Sequence, residues 1–105
     1  MKYDPGADFC QDLRAHPKPL GRNYLYNRTT GQYCAVGFAL RKAGVPLTEI
    51  LDAIDDSHAV TMAANLYDGT NEDFWNKIMT CNDDYDGHGF RSRKAAVLNV
   101  AGCTA

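Results

Sequence analysis

The sequence predicts a mainly α fold, a compact bundle of roughly five or six short helices with a minor β-hairpin. Three observations carry that expectation. Apolar residues recur at helical spacing in short segments, as at Phe9 and Leu13, Ile50 and Ile54, and Phe74 and Ile78. Helix-ending signals separate these segments: Pro17 and Pro19, Gly44 with Pro46, Asp68-Gly69, and Gly102. The one stretch with strand character is short, a tyrosine-rich run on either side of Asn27-Arg28-Thr29-Thr30-Gly31.

Asp4-Pro5 reads as an N-cap followed by proline at the first helical position, opening a helix to about Ala15. Phe9 and Leu13 share one face of it, with Cys10 alongside. His16-Pro17-Lys18-Pro19 ends it, because each proline disfavours helix in the residue before it. His16 reads as a free, exposed histidine. Tyr24, Leu25, Tyr26 and Tyr33 then predict a hairpin, roughly Asn23–Tyr26 against Gln32–Tyr33. Two strands this short do not stand alone, so the hairpin must pack on helices through its rings.

The central helix is expected from about Cys34 to Ala43, with Gly44 at C′. Arg41 and Lys42 fall in its last turn, where cations favour the helix dipole. Ala35, Gly37 and Ala39 allow close approach of neighbours, while Val36, Phe38 and Leu40 supply bulk. Thr48 to Asp55 is the next helix, with Ile50, Leu51 and Ile54 inward. Ser57 is the expected cap of a helix through Met62, Ala63 and Leu66. Thr70, with Asp73 three residues on, is the expected cap of the helix that carries Phe74, Trp75, Ile78 and Met79. Asn82 to Gly89 reads as a polar loop, and Ser92 to Ala101 as the last helix.

The chain of 105 residues fits a single helical domain spanning 1-105. The net charge is −2 and no run of like charges occurs, which argues against generic nucleic-acid or anionic-membrane binding. Arg91, Arg93 and Lys94 form the only local basic candidate in this reading. No apolar run is long enough to cross a bilayer. The N-terminus has no hydrophobic signal region, so a cytoplasmic location and four reduced cysteines (Cys10, Cys34, Cys81, Cys103) are expected. On that expectation the Asn27-Arg28-Thr29 sequon has no use.

Candidate chemistry starts at Cys34, near a helix N-terminus where dipole and free N–H groups favour thiolate. His88 and Asn82, or Asp83, complete a Cys-His-Asn/Asp arrangement. The same Cys34 also reads as a buried small hydrophobe. Asn82, Asp84 and Asp86-Gly87 match the first half of a calcium-binding loop. The second half departs, with Arg93 at the twelfth position and Gly89 at the eighth. Cys81, His88 and Cys103, with Cys10 or Cys34, have no regular zinc spacing. No metal and no cofactor are therefore expected.

Six tyrosines favour binding over catalysis, since tyrosine offers a flat apolar face with a polar tip. Tyr24, Tyr26, Tyr33 and Tyr85, with Arg91 and Arg93, are the candidate contact residues. Half-buried tyrosines at the edge of a core account for the same count. Arg91, Arg93 and Lys94 oppose the dipole of the last helix, so Asp83, Asp84 and Asp86 are their expected partners.

Tyr33-Cys34-Ala35-Val36-Gly37-Phe38-Ala39-Leu40, the Trp75 helix, Asn82-Asp83 and the arginines ahead of the last helix resemble a pattern in small uncharacterised actinobacterial and phage proteins. There it reads C-A-x-G-A-L, then I-x-x-x-N-D, over a span equivalent to residues 20 to 101. Phe38 and the Asp84–Gly89 loop depart from it. The resemblance implies a helical fold, a bacterial or phage setting and no activity. If phage-encoded, the protein would work in the host cytoplasm. The expected function is that of a small accessory protein that binds a partner protein, for instance a phage-encoded inhibitor of a host defence or metabolic complex. The alternative is a cysteine-dependent hydrolase or transferase using Cys34 with His88.

Overall fold

The computed structural model describes residues 8–21, 24–52, 55–87 and 89–103. Among them the chain forms α1 (Cys10–Ala15), β1 (Tyr26–Asn27), β2 (Gln32–Tyr33), α2 (Ala35–Lys42), α3 (Leu47–Asp52), α4 (Asp56–Leu66), α5 (Glu72–Asp84) and α6 (Arg93–Val100). This is the expected mainly α architecture with one small antiparallel hairpin. The expected Asp4-Pro5 start, Asn23, Ile54 and His88 lie outside the described residues.

α2 is the hub, and its composition explains why. All six residues from Ala35 to Leu40 are buried, and α3, α4, α5 and β2 pack on it. Gly37 lets the hairpin reach it: a Cβ there would lie 2.0 Å from the Leu25 carbonyl oxygen. The Cys34 N–H donates to that same oxygen at 3.2 Å. The C-terminus ends as the sequence predicts. Gly44 takes φ +101° at C′, its N–H donates to the Arg41 carbonyl at 3.2 Å, and the Val45 N–H donates to the Leu40 carbonyl at 3.0 Å. That reciprocal pair satisfies carbonyls the helix would otherwise leave open, and buried Val45 packs beneath.

β2 lies where expected, whereas β1 ends one residue further on than expected, with Tyr26 opposite Tyr33 and Asn27 opposite Gln32. Asn27 sets its turn: Oδ1 accepts from the N–H of Thr29 at 2.9 Å and of Thr30 at 3.3 Å.

Two caps differ from expectation. Asp55, not Ser57, caps α4 by accepting from the His58 N–H at 2.8 Å. Asn71, not Thr70, caps α5 by accepting from the Phe74 N–H at 2.9 Å. Thr70 instead donates to the Tyr67 carbonyl at 2.7 Å and accepts from Trp75 Nε1 at 3.0 Å. Its hydroxyl satisfies the one polar atom of the fully buried Trp75. Around that indole stand Phe9 at 5.3 Å, Tyr67 at 5.1 Å and Phe74 at 5.1 Å. The Tyr67 hydroxyl donates to the Ala39 carbonyl at 2.9 Å, fixing α4 to α2.

α5 runs through Asp84, so Asn82, Asp83 and Asp84 are helical rather than part of a loop. The calcium-loop geometry is thereby lost, because helical residues at every second position do not converge on one point.

Cys10 and Cys103 are joined by a disulfide with a Cα–Cα separation of 5.7 Å. This corrects the expectation of four reduced thiols: α1 and α6 pack together and bring the two cysteines into register. It also removes two sulfurs from the zinc set. The bond spans 93 residues of chain, and closing a loop of that length contributes ~4–5 kcal/mol in the chain-entropy account. No helix among the described residues is long and apolar enough to cross a membrane.

Candidate functional site

Two regions meet α2, its N-terminal end and the flank that faces His16. They use their polar groups in opposite ways.

A helix N-terminus leaves backbone N–H groups without intrahelical partners. At α2 two side chains take them. Asn82 Oδ1 accepts from the Ala35 N–H at 3.0 Å, and Cys34 Sγ accepts from the Gly37 N–H at 3.3 Å. Asn82 is fully buried, and its Nδ2 donates to the Gly21 carbonyl at 2.9 Å and to Asp83 Oδ1 at 3.2 Å. One amide thus ties α5 to α2 and to the segment leading into the hairpin.

Cys34 is 3% exposed, and burial pushes its thiol up to about 12. The Gly37 and Val36 N–H groups pull the other way, and the Asp83 and Asp56 carboxylates reinforce the rise. Of the two readings of Cys34, the buried small hydrophobe is the one its burial fits: desolvation outweighs the helix end. Cys34 and Asn82 both serve the N-terminus of α2, each accepting from a different backbone N–H. His88, the third member, lies outside the described residues.

The α5–α6 connection consumes further candidates. Arg93 Nε donates to the Asn82 carbonyl at 2.6 Å and Nη2 to the Tyr85 carbonyl at 3.2 Å. Its guanidinium stacks 5.4 Å from the Tyr85 ring. The conflict with the dipole of α6 resolves here, because Arg93 sits at the carbonyl end of α5, where a cation is favoured. Tyr85 donates its hydroxyl to the Phe90 carbonyl at 2.5 Å. Arg91 is exposed. Among the described residues no three His, Cys, Asp or Glu side chains group to hold a metal.

The flank is different. His16, Tyr33, Phe38, Arg41 and Lys42 line an open recess of about 370 Å³. Its walls are aromatic. The His16 ring lies 4.8 Å from Phe38 and 6.4 Å from Tyr33, and Tyr33 lies 4.7 Å from Tyr26. Lys42 Nζ stands 5.9 Å over the Phe38 ring. Lys94 Nζ donates to the His16 carbonyl. Lys18 Nζ lies beside Gly31, 3.0 Å from where a Cβ would sit.

His16 is half-buried rather than freely exposed, which corrects the sequence expectation. Burial lowers its pKa, and Lys94, Lys42 and Lys18 lower it further. Its Nε2 is buried with no hydrogen-bond partner among the described residues. Among those residues, Lys77 and Asp73 form an ion pair at 3.3 Å, whereas Lys18, Arg41, Lys42 and Lys94 form none. Tyr24, 61% exposed, continues the surface: with Tyr26, Asn27, Arg28, Thr29 and Leu51 it lines a second recess of about 400 Å³.

His16, Lys18, Phe38, Arg41, Lys42 and Lys94 were not recognised as one site from motifs, yet a signal exists. From residue 13 to 48, and again after Asp86, the chain has no Asp or Glu. Those two stretches hold nine of the eleven cations. The near-neutral total charge hides a segregation that the fold then gathers around His16.

Comparison with protein-family models, with curated proteins and with solved structures gave no match to the chain.

Proposed function

We propose that the protein is a small accessory protein that acts by binding a partner protein, and that it docks an acidic surface of that partner on the His16 flank of α2. One observation carries this reading: Arg41 and Lys42 line an aromatic recess, Lys18 and Lys94 add positive charge at its His16, and none of the four has a carboxylate partner among the described residues. Like charges held together repel, so such a cluster costs stability in the isolated fold. An acidic partner offsets that repulsion and gains directional steering on approach. Tyr24, Tyr26 and Tyr33 border the cluster and supply flat contact area with polar tips. The resemblance to small phage and actinobacterial proteins supports a bacterial or phage setting for this role. An inhibitor of a host complex is one form of it. The cysteine-hydrolase alternative loses support because the Cys34 thiol is buried, protonated and occupied as a cap.

The test is retention on immobilised polyglutamate at low and high salt, with single-stranded DNA immobilised as the comparison. Wild-type protein is expected to bind polyglutamate at low salt and release as salt screens the charges. The triple variant Lys18→Glu/Arg41→Glu/Lys42→Glu is expected to lose that binding. Equal retention of the variant, or preference for the DNA, overturns the reading. So does wild-type protein that only self-associates in sedimentation, since a second copy would then be the occupant.

A further inference from the structure

Within the docking face the His16 recess has finer features, and they point to one chemical group. Three lysines from separate parts of the chain act on one imidazole: Lys18 beyond α1, Lys42 in α2 and Lys94 in α6. Arg41 and Tyr33 complete the polar groups of the wall. The positive fields therefore add at one place rather than along a stripe. His16 carries a buried ring nitrogen that the described fold leaves without a partner, which is rare in a native structure and calls for an explanation. Half-buried Tyr33 offers a ring face beside it, and buried Phe38 forms the floor. The volume, about 370 Å³, falls among clefts that hold small groups, at ~300–1,000 Å³.

We propose that this recess is a seat for a single oxyanion, a carboxylate or phosphate group on an aromatic or apolar stem, with the His16 ring as its proton-carrying donor. The inference rests on the docking reading and assigns the group that the partner inserts. In the free protein burial and three lysines disfavour the charged imidazole. A bound anion beside the ring reverses the balance of charge. The ring then takes a proton from solvent, and the anion gains a charged hydrogen bond from Nδ1, the ring nitrogen that is not buried. Binding is thus linked to proton uptake and strengthens as the pH falls. The aromatic wall explains selectivity for a stem, since a ring can stack on half-buried Tyr33 while the anion sits among the cations.

The test is a proton NMR titration of the His16 ring in the intact, oxidised protein, with His58 as the internal control. The probes are inorganic phosphate, phenyl phosphate, acetate and benzoate. The expected result is a saturable upward shift of the His16 midpoint that leaves His58 in place. The stemmed member of each pair should bind about tenfold tighter, a difference of the size a stacked ring contributes. Comparing phenyl phosphate with benzoate separates a phosphorylated group from an acidic side chain as the natural source. Lys42→Ala should weaken binding at least several-fold without unfolding the chain. A shift that rises linearly without saturation, or that His58 shares, overturns the seat. If polyglutamate still binds the face while His16 does not respond, the seat fails and the docking reading stands. If neither binds, both fail.

Discussion

The N-terminal end of α2 and its His16 flank are built on the same helix, yet one closes its polar accounts and the other leaves them open. At the N-terminal end, Asn82 and Cys34 take up backbone N–H groups, and Arg93 and Tyr85 take up carbonyls of the α5–α6 connection. At the flank, four cations lack carboxylate partners among the described residues, and a ring nitrogen lacks any. Polar groups that satisfy one another hold a fold together. Polar groups left over at the edge of a recess are what a partner can use. The residues with the most familiar chemistry, a cysteine at a helix start and an asparagine nearby, belong to the first kind.

The strongest way to break this contrast is at Asn82. Asn82→Leu would leave the buried Ala35 N–H and the part-buried Gly21 carbonyl without partners, a loss of about 3 kcal/mol. Urea unfolding measures it. A loss under about 1 kcal/mol would mean the clasp is dispensable. Gly37→Ala comes next. Its Cβ would collide with the Leu25 carbonyl, and the hairpin must move off α2 at a cost of about 3 kcal/mol. Stability within experimental error of wild type would show that the hairpin is not seated as described.

Cys34 sharpens the comparison through pH. Its thiol rises from the ordinary value of 9.0 to about 12 on folding. The folded state therefore holds the proton more tightly. This contribution to stability is fully present below pH 9.0 and is lost as the pH rises toward about 12, at ~1.4 kcal/mol per pH unit. The urea midpoint of wild-type protein should fall between pH 9 and 11. Cys34→Ser keeps an oxygen at the cap and cannot titrate, so its midpoint should fall less. It will not be flat, because burial and Asp84 also raise the Cys81 thiol. Parallel pH profiles would refute the buried thiol.

The smallest effect belongs to the flank. Lys42→Ala should leave stability within about 0.5 kcal/mol, as for an exposed residue whose ring and dipole contacts are loose. The same change removes one of the charges that disfavour the charged form of His16, so its midpoint in NMR should move upward. An unmoved His16 would mean that the lysine does not reach the ring.

The fold was legible in the sequence wherever the signal was local. Gly44 and Val45 announced the end of α2, and the small residues of α2 announced its burial. The caps were legible only to within a residue or two, because Asp55 and Ser57, or Thr70 and Asn71, are chemically equivalent candidates until packing decides. Thr70 went to Trp75 because the indole N–H had to be satisfied. At Asn82 to Asp84 a loop-like composition is overruled by burial of Asn82 and by Arg93 at the helix end. The disulfide depended on α1 and α6 lying together, which no spacing encodes. The site was the least legible part. His16, Lys18, Lys42 and Lys94 are far apart in sequence, and each is ordinary alone. Only the acid-free stretches hinted that their charges would find no internal partner.

The central claim is that the flank cations serve something other than the fold. Its most direct test is the urea midpoint of Lys18→Ala/Arg41→Ala/Lys42→Ala, measured beside wild type at low salt. The account predicts a midpoint close to that of wild type, because the repulsion relieved offsets the lost dipole and ring contacts of Arg41 and Lys42. A fall comparable to that of Asn82→Leu would contradict it. The cations would then be structural, and the flank would have nothing left over to offer a partner.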